Sequence, residues 1–359
     1  MLSRSVKGRM TAGAGKCLTV GIAVFAFLVP TGCVRKTSGS DSGKRLAGEI
    51  SCRLDSIKVD FNLFPERWNV DGDILWVVNS RDSLFLTRYN LASHTVEWKG
   101  GLIGQGPGEY ISPGLVESSS PGIVGLYSNT LNRVDNYASK DTLEKIFTGS
   151  FPIWNEGRSL PKPYTRLAAI NDSTMVGTYF LPREAGADII DVKSGRLLST
   201  VRPHFPVEED AASGPLEFKA SVSGDNLVLA YRYVDRVEFY RLDGGEARFA
   251  GAVGDSSTQE DLYEADRDDE MVKHYSDVYA VGNKVCLLYQ GVQERDMRKS
   301  PTHLLVYDME SRSNLANINL GRYFSDMQYW KDSSGSERIV LFDPLSEDYL
   351  FVLDLDDSY

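Results

Sequence analysis

The stretch 101-GLIGQGPGEYISPGLVESSSPGIVGLYSNTLNRVDNY-137 decides how the chain is read. Gly104, Gly106 and Gly108 fall within five residues, with Pro107 among them, and an apolar run follows. A glycine-rich turn of this kind either cradles a phosphate or takes the backbone round a corner. A phosphate loop needs a strand before it, a helix after it and a Lys-Ser/Thr at its end. Neither a helix nor a Lys-Ser/Thr follows here. The segment Gly104 to Tyr110 therefore reads as a corner between strands. Pro107 and Pro113 stiffen it, Glu109 belongs to it, and Tyr110 is placed to wedge between packed sheets.

Outward from this corner the chain has almost no helical periodicity. Short runs rich in Val, Ile, Leu, Tyr and Phe alternate with Gly, Asn, Asp and Ser, which predicts an all-β fold. One phrase, a turn followed by a strongly apolar strand, recurs: VDGDILWVV, SPGIVGLYS, INDSTMVGTY, VSGDNLVLAY, VGNKVCLLY and SSGSERIVLF, centred near Leu75, Val124, Met175, Leu227, Val285 and Val340. Each has a partner strand after a polar loop: LFLTRYNL, NRVDNY, DIIDVKSG, RVEFYRLDG, HLLVYDMES and DYLFVLDL. The interval of roughly fifty residues suits four short strands per repeat. Six such units, packed around an axis, predict a six-bladed β-propeller with four antiparallel strands per blade. That arrangement buries sheet faces against neighbours and leaves only short edges. Cys52 to Phe61, CRLDSIKVDF, alternates like a strand and is expected to seal the ring against the last blade.

Gly101, Gly104, Gly106, Gly108, Glu109, Tyr110 and Pro113 resemble the NHL-type repeat, and Asn132-Arg133-Val134 matches its later N-R-I/V. Gly251-Ala252-Val253-Gly254 keeps part of the same glycine pattern. The N-terminus adds a second resemblance. Arg4, Lys7, Arg9 and Lys16 precede the short apolar run CLTVGIAVFAFLV, which ends at Pro30-Thr31-Gly32-Cys33. This is the shape of a secretory signal, and the Gly-Cys junction resembles that of bacterial lipoproteins, which implies acylation of Cys33. Together the two features resemble the TolB-like six-bladed propeller lipoproteins. The expected organisation is a signal peptide over 1–32, a flexible tether over 33–51 and the propeller over 52–359. Arg35 and Lys36, with no early acidic run, favour the periplasmic side of the envelope over the cell surface.

The chain carries 39 Lys and Arg against 50 Asp and Glu, a net charge of −11. Loss of the basic leader makes the remainder more acidic still. That balance speaks against a nucleic-acid partner, which calls for a basic footprint. Of four cysteines, Cys17 lies in the leader and Cys33 at its end. Cys52 and Cys286 read as small buried thiols, with a disulfide between them left open.

Chemistry is expected where the inter-blade linkers and the loops between second and third strands share one face. Arg81, Arg133, Arg183, Arg232, Arg236 and Arg295 all fall in or beside such loops. They suggest either a basic mouth for an anionic ligand or loop arginines paired with neighbours such as Asp82 and Asp235. His204, His274 and His303 fall near the same face. Three imidazoles with an open fourth position would suit a catalytic zinc, so a channel metal stays open although no cofactor is firmly implied. Asp255 to Glu270 is an acidic run without EF-hand spacing and reads as a solvated loop. No G-x-S-x-G or H-E-x-x-H pattern is present.

Two functional classes follow. One is a non-catalytic binding or scaffold module on a lipid anchor, with an envelope protein, a peptide or an acidic carbohydrate as partner. The other is an envelope hydrolase or lyase using residues at the channel mouth. Fold alone does not choose between them.

Overall fold

In a computed structural model of the protein the described residues are 47–355, apart from 62, 64–67, 118–120, 140–142, 156–159, 182, 183, 205–215, 255–269 and 347. The leader, Cys33, most of the tether, Arg183 and most of the acidic run lie outside them.

The recurring phrases fold as expected for half-buried strands. In each, the apolar run is the second strand of an antiparallel meander and the alternating run after the polar loop is the third. The first meander is β3 (Trp68–Asp71), β4 (Ile74–Val78), β5 (Leu84–Asn90) and β6 (Thr95–Ile103). The glycine-rich corner follows and adds β7 (Glu109–Tyr110), which pairs in parallel with the end of β6. The second meander is β8 (Gly114–Glu117), β9 (Ile123–Ser128), β10 (Arg133–Ser139) and β11 (Leu143–Gly149). A small hairpin, β12 (Ile153–Asn155) with β13 (Leu160–Pro161), precedes the third: β14 (Arg166–Ala169), β15 (Thr174–Leu181), β16 (Glu184–Asp191) and β17 (Arg196–Val201). β8 and β14 share parallel bonds at Leu167–Val116 and Ala168–Glu117, which fuses the second and third meanders into one eight-stranded sheet.

The fourth meander is β18 (Phe218–Ser223), β19 (Asn226–Tyr231), β20 (Arg236–Asp243) and β21 (Glu246–Gly254). The fifth is β22 (Val272–Val281), β23 (Lys284–Gln293), β24 (His303–Asp308) and β25 (Asn314–Asn319), with a 3₁₀ helix, Glu294–Lys299, between its second and third strands. The last is β26 (Asp326–Lys331), β27 (Glu337–Phe342) and β28 (Tyr349–Asp354). Its fourth strand comes from the other end of the chain. β2 (Asp55–Lys58) pairs antiparallel with β28, setting Asp55 opposite Val352 and Lys58 opposite Tyr349. The alternation over Cys52 to Phe61 thus becomes the sealing strand.

The arrangement is a β-propeller. The innermost strands touch in a closed cycle, β3 to β8, β14, β18, β22, β26 and back to β3. The core follows the same plan: each hydrophobic cluster draws on two adjacent meanders. Trp76, Phe85 and Leu126 fill the gap between the first and second, and Leu304, Phe324 and Leu341 the gap between the fifth and last. Sheets hide their broad faces against each other in this way, and none needs a helix for cover.

One stretch departs from the sequence reading. Glu49–Ser51, expected as the end of a flexible tether, form β1, a parallel strand on the outer edge of β25. An outer strand offers a row of unpaired backbone groups, and a passing segment can occupy them. The Ala47 N–H also donates to Asn314 Oδ1 at 2.6 Å. Cys52 and Cys286 are both free thiols; Cys286 is buried, and Cys52 packs against the cluster that contains it.

Candidate functional site

The glycine-rich corner holds its own carboxylate. The Gly106 N–H donates to Glu109 Oε2 at 2.8 Å, and the Gly104 N–H donates to the Tyr110 carbonyl at 3.0 Å. A Cβ built on Gly104 or Gly106 would run into the Glu109 side chain. Of the backbone donors that would meet a phosphate, the Gly106 N–H is turned on Glu109 and the Gly104 N–H on the Tyr110 carbonyl. Gly101 and Gly108 supply the positive φ values, +75° and +81°, that turn the chain. Tyr110 is buried edge-on to Phe85 of the first meander and reaches into the second.

What Tyr110 reaches is a buried carboxylate. Its hydroxyl donates to Asp135 Oδ2 at 2.5 Å, Arg133 Nε lies 3.0 Å from the same oxygen, and Lys145 and Thr148 meet Oδ1 at 3.1 and 2.5 Å. The arrangement repeats. In the third meander Asp188 takes the Tyr164 hydroxyl at 2.8 Å, Lys162 at 3.0 Å and Thr200 at 2.7 Å. In the fourth, Glu238 takes Tyr231 at 2.9 Å, Tyr240 at 2.7 Å, Arg236 at 2.7 Å and the His204 N–H at 3.1 Å. All three carboxylates are buried. Burial first, and then the carboxylate beside each ring, push Tyr110, Tyr164 and Tyr240 upward, so the phenols remain donors. Burial alone would raise Asp135. Its bonds from Thr148, Tyr110 and Lys145 outweigh that and hold it below the usual carboxylate range.

These locks account for two of the arginines singled out from sequence. Arg133 also donates to the Glu109 carbonyl and lies 4.2 Å from the centre of the Tyr110 ring. Arg236 donates to the His204 carbonyl as well as to Glu238. Each pairs with a neighbouring carboxylate two residues on, Asp135 or Glu238. Arg232 sits between Glu217 at 2.8 Å and Glu294 at 3.7 Å. Arg295 is exposed and bonds Gln293 at 2.5 Å, with Asp296 at 3.8 Å. Arg81 is exposed in the β4–β5 loop. Among the described residues the arginines lie in or beside the loops expected of them, and Arg133, Arg232, Arg236 and Arg295 each have a carboxylate of their own. A signal for the locks was present: Arg133-Val134-Asp135 and Arg236-Val237-Glu238 are the same pattern at the same point of the repeat.

The histidines take separate partners. The His204 ring stacks on Phe249 at 3.8 Å, the His274 ring lies 6.1 Å from that of Tyr289, and His303 Nδ1 meets Asn317 Oδ1 at 2.9 Å. Among the described residues no three His, Cys, Asp or Glu side chains are grouped as metal ligands would be.

At the axis every innermost strand contributes to one polar network. Arg166 on β14 bridges Glu117 on β8 and Asp277 on β22, at 2.8 Å to each. Ser221 on β18 donates to Glu117 at 2.8 Å, the Met327 N–H on β26 donates to Asp277 at 2.9 Å, and Asn69 on β3 reaches the Val116 carbonyl at 3.5 Å. Burial raises Glu117 above its ordinary range despite Arg166. A cavity of about 20 Å³ remains among these side chains, room for about one water. Two larger cavities, about 680 and 720 Å³, flank the sealing strand β2; the first is bordered by Cys52, Arg53, Trp330 and Arg338, the second by Phe61, Tyr89 and Lys99.

No family model matches the chain, and no curated protein is similar to it in sequence. Solved structures resemble it in shape. The β-propeller domain of Cps50 (Swd1) from Myceliophteria thermophila is 9% identical, with 84% of this chain and 100% of that one covered and a TM-score of 0.47. Hydrazine synthase from Kuenenia stuttgartiensis is 12% identical, covering 80% and 78%, with a TM-score of 0.45. Hsv2 from Kluyveromyces lactis is 12% identical, covering 77% and 69%, with a TM-score of 0.44.

Proposed function

We propose that the chain is a lipid-anchored envelope protein whose propeller is a non-catalytic binding module. In this reading Cys33 carries the lipid, the tether hangs the domain on the periplasmic side, and the six meanders are the blades of a six-bladed, TolB-like ring with an NHL-type linker into the second. An envelope protein, a peptide or an acidic carbohydrate is bound on the face that carries the linkers and the second-to-third-strand loops. The observation behind it is the axial network. Arg166 ties Glu117 to Asp277 and leaves space for about one water, so recognition falls to surfaces around the axis. The lipid reading rests on the charged leader, its short apolar core and the Gly32-Cys33 junction.

The test is fractionation and capture with the full-length protein in bacterial cells. The native chain should sediment with membranes, and Cys33→Ser should release it or leave it unprocessed. Cross-linking in membranes should capture a partner through native linker-face residues. Charge reversal at exposed Arg81 and Arg295 should reduce that capture while the fold is kept. A Cys33→Ser chain that stays acylated and membrane-bound would refute the anchor. Undiminished capture by the reversed face would refute the proposed surface.

A further inference from the structure

Beside the axis, where β22 begins, Lys273 is 4% exposed. Among the described residues its side-chain nitrogen meets the Met297 sulfur at 3.6 Å. Among the described residues no carboxylate lies within ion-pair distance of it. Buried ammonium groups are ordinarily paired, because leaving water costs them heavily. The neighbouring charges pull both ways: Arg232 and Lys219 oppose the positive charge, and Asp326 and Glu294 favour it. Burial first, then Arg232, pull the Lys273 amine down to about 8.

A second group has the same problem. Gln290 is 6% exposed, and among the described residues its Oε1 has no hydrogen-bond partner. The orientation of the amide is fixed. Nε2 faces the Met297 carbonyl and Thr302 Oγ1, both at 3.5 Å. Thr302 Oγ1 gives its own proton to the Phe324 carbonyl, so it can only accept from Gln290. The Lys273 ammonium and the Gln290 amide therefore both end against one residue, Met297 of the 3₁₀ helix Glu294–Lys299. Met297 is itself only half-buried, and an unbranched thioether side chain moves between rotamers easily.

We propose that Lys273 and Gln290 form the floor of a binding site for a small carboxylate bearing a neighbouring hydroxyl, such as a hydroxy acid or a uronic acid. The carboxylate takes the ammonium, the hydroxyl donates to Gln290 Oε1, and Met297 swings aside to admit them. The two groups together answer both residues, which acetate, having no hydroxyl, does only in part. The inference deepens the reading of this face as a binding surface and rests on it.

The experiment is isothermal titration of the full-length protein in detergent with D-glucuronate and acetate, together with thermal melts without ligand. Glucuronate should bind at least ten-fold more tightly than acetate. Lys273→Met should lose at least ten-fold in glucuronate affinity and melt at a higher temperature, since it removes a buried charge with no carboxylate at ion-pair distance among the described residues. Gln290→Leu should narrow the preference for glucuronate over acetate. Equal affinity in Lys273→Met, a lower melting temperature in that variant, or no glucuronate binding by the native chain would each overturn the proposal. Capture of an envelope partner tests the broader reading separately: if it survives in Lys273→Met while the titrations fail, only this site is lost.

Discussion

The second, third and fourth meanders differ from the fifth, the last and the first at one equivalent position. In every meander a residue of the third strand sits opposite the fourth residue of the second strand. In the second to fourth meanders it is Asp135, Asp188 or Glu238, opposite Leu126, Gly177 and Leu229. In the fifth and last it is Leu305 or Val352, opposite Leu287 and Val340, and in the first it is Thr87, opposite Val77. All are buried. One half of the ring thus places a carboxylate, a tyrosine and a cation where the other half places aliphatic or hydroxyl side chains. The same backbone accepts either solution. The polar one consumes arginines and a lysine that would otherwise advertise an anion site.

The comparison is broken most forcefully by removing one member of a lock. Glu238→Ala would strand Arg236, two tyrosine hydroxyls and the His204 N–H. The expected loss is about 3–5 kcal/mol of folding stability, since the partners of a deleted buried charge are left unpaired. Urea denaturation would read it. Exchanging the buried ion pair of a lock for apolar groups should behave differently. Arg133→Leu with Asp135→Leu should cost less than Asp135→Ala alone, because the buried guanidinium is not stranded and the half-exposed Lys145 can turn to water. If the double variant is the worse of the two, the polar and apolar halves are not interchangeable solutions.

On the apolar side Leu305→Ala should cost about 2–4 kcal/mol through the cavity it opens in a fully buried site. Its effect should not vary between pH 3 and 7. Asp135 supplies the contrast. Its bonds hold it below the usual carboxylate range in the folded protein, so its contribution is present above the ordinary carboxylate pKa and is lost as pH falls through the folded value. The gap in melting temperature between native protein and Asp135→Asn should therefore be full near pH 6 and shrink below about pH 4. A gap that widens on acidification would contradict the lock.

Much of the fold was legible because strands carry their own signal. The apolar phrases, the alternating partners and the sealing run from Cys52 to Phe61 each show period and turn chemistry within ten residues. β1 was not legible: three exposed residues on a sheet edge have no pattern to offer. The candidate site was half legible. Arg133 and Arg236 stand out because they are cations in loops, but their carboxylates lie two residues on, where alternation sets both side chains on one face. Read as a pair, Arg-x-Asp or Arg-x-Glu at the head of a third strand announces a lock rather than a ligand. The axial network has no local trace at all, since Arg166 and Asp277 are 111 residues apart. Nor does Lys273, whose isolation is a property of what surrounds it in space.

The smallest expected effect concerns the corner that precedes the first lock. Gly108 has φ +81°, and a Cβ there would meet no other atom. Gly108→Ala should cost about 1 kcal/mol from the backbone conformation alone. Gly106→Ala has no positive φ to accommodate, yet its Cβ would press on the Glu109 carboxylate that the Gly106 N–H holds. If the corner serves only to turn the chain, the two variants should be similar. If it also positions Tyr110 over Asp135, Gly106→Ala should be the more costly. It should then lose part of its penalty when the lock is already absent in an Asp135→Asn background, because the two sites share one network. Strict additivity across that double-mutant cycle would separate the corner from the lock and leave Tyr110 as ordinary packing between neighbouring sheets.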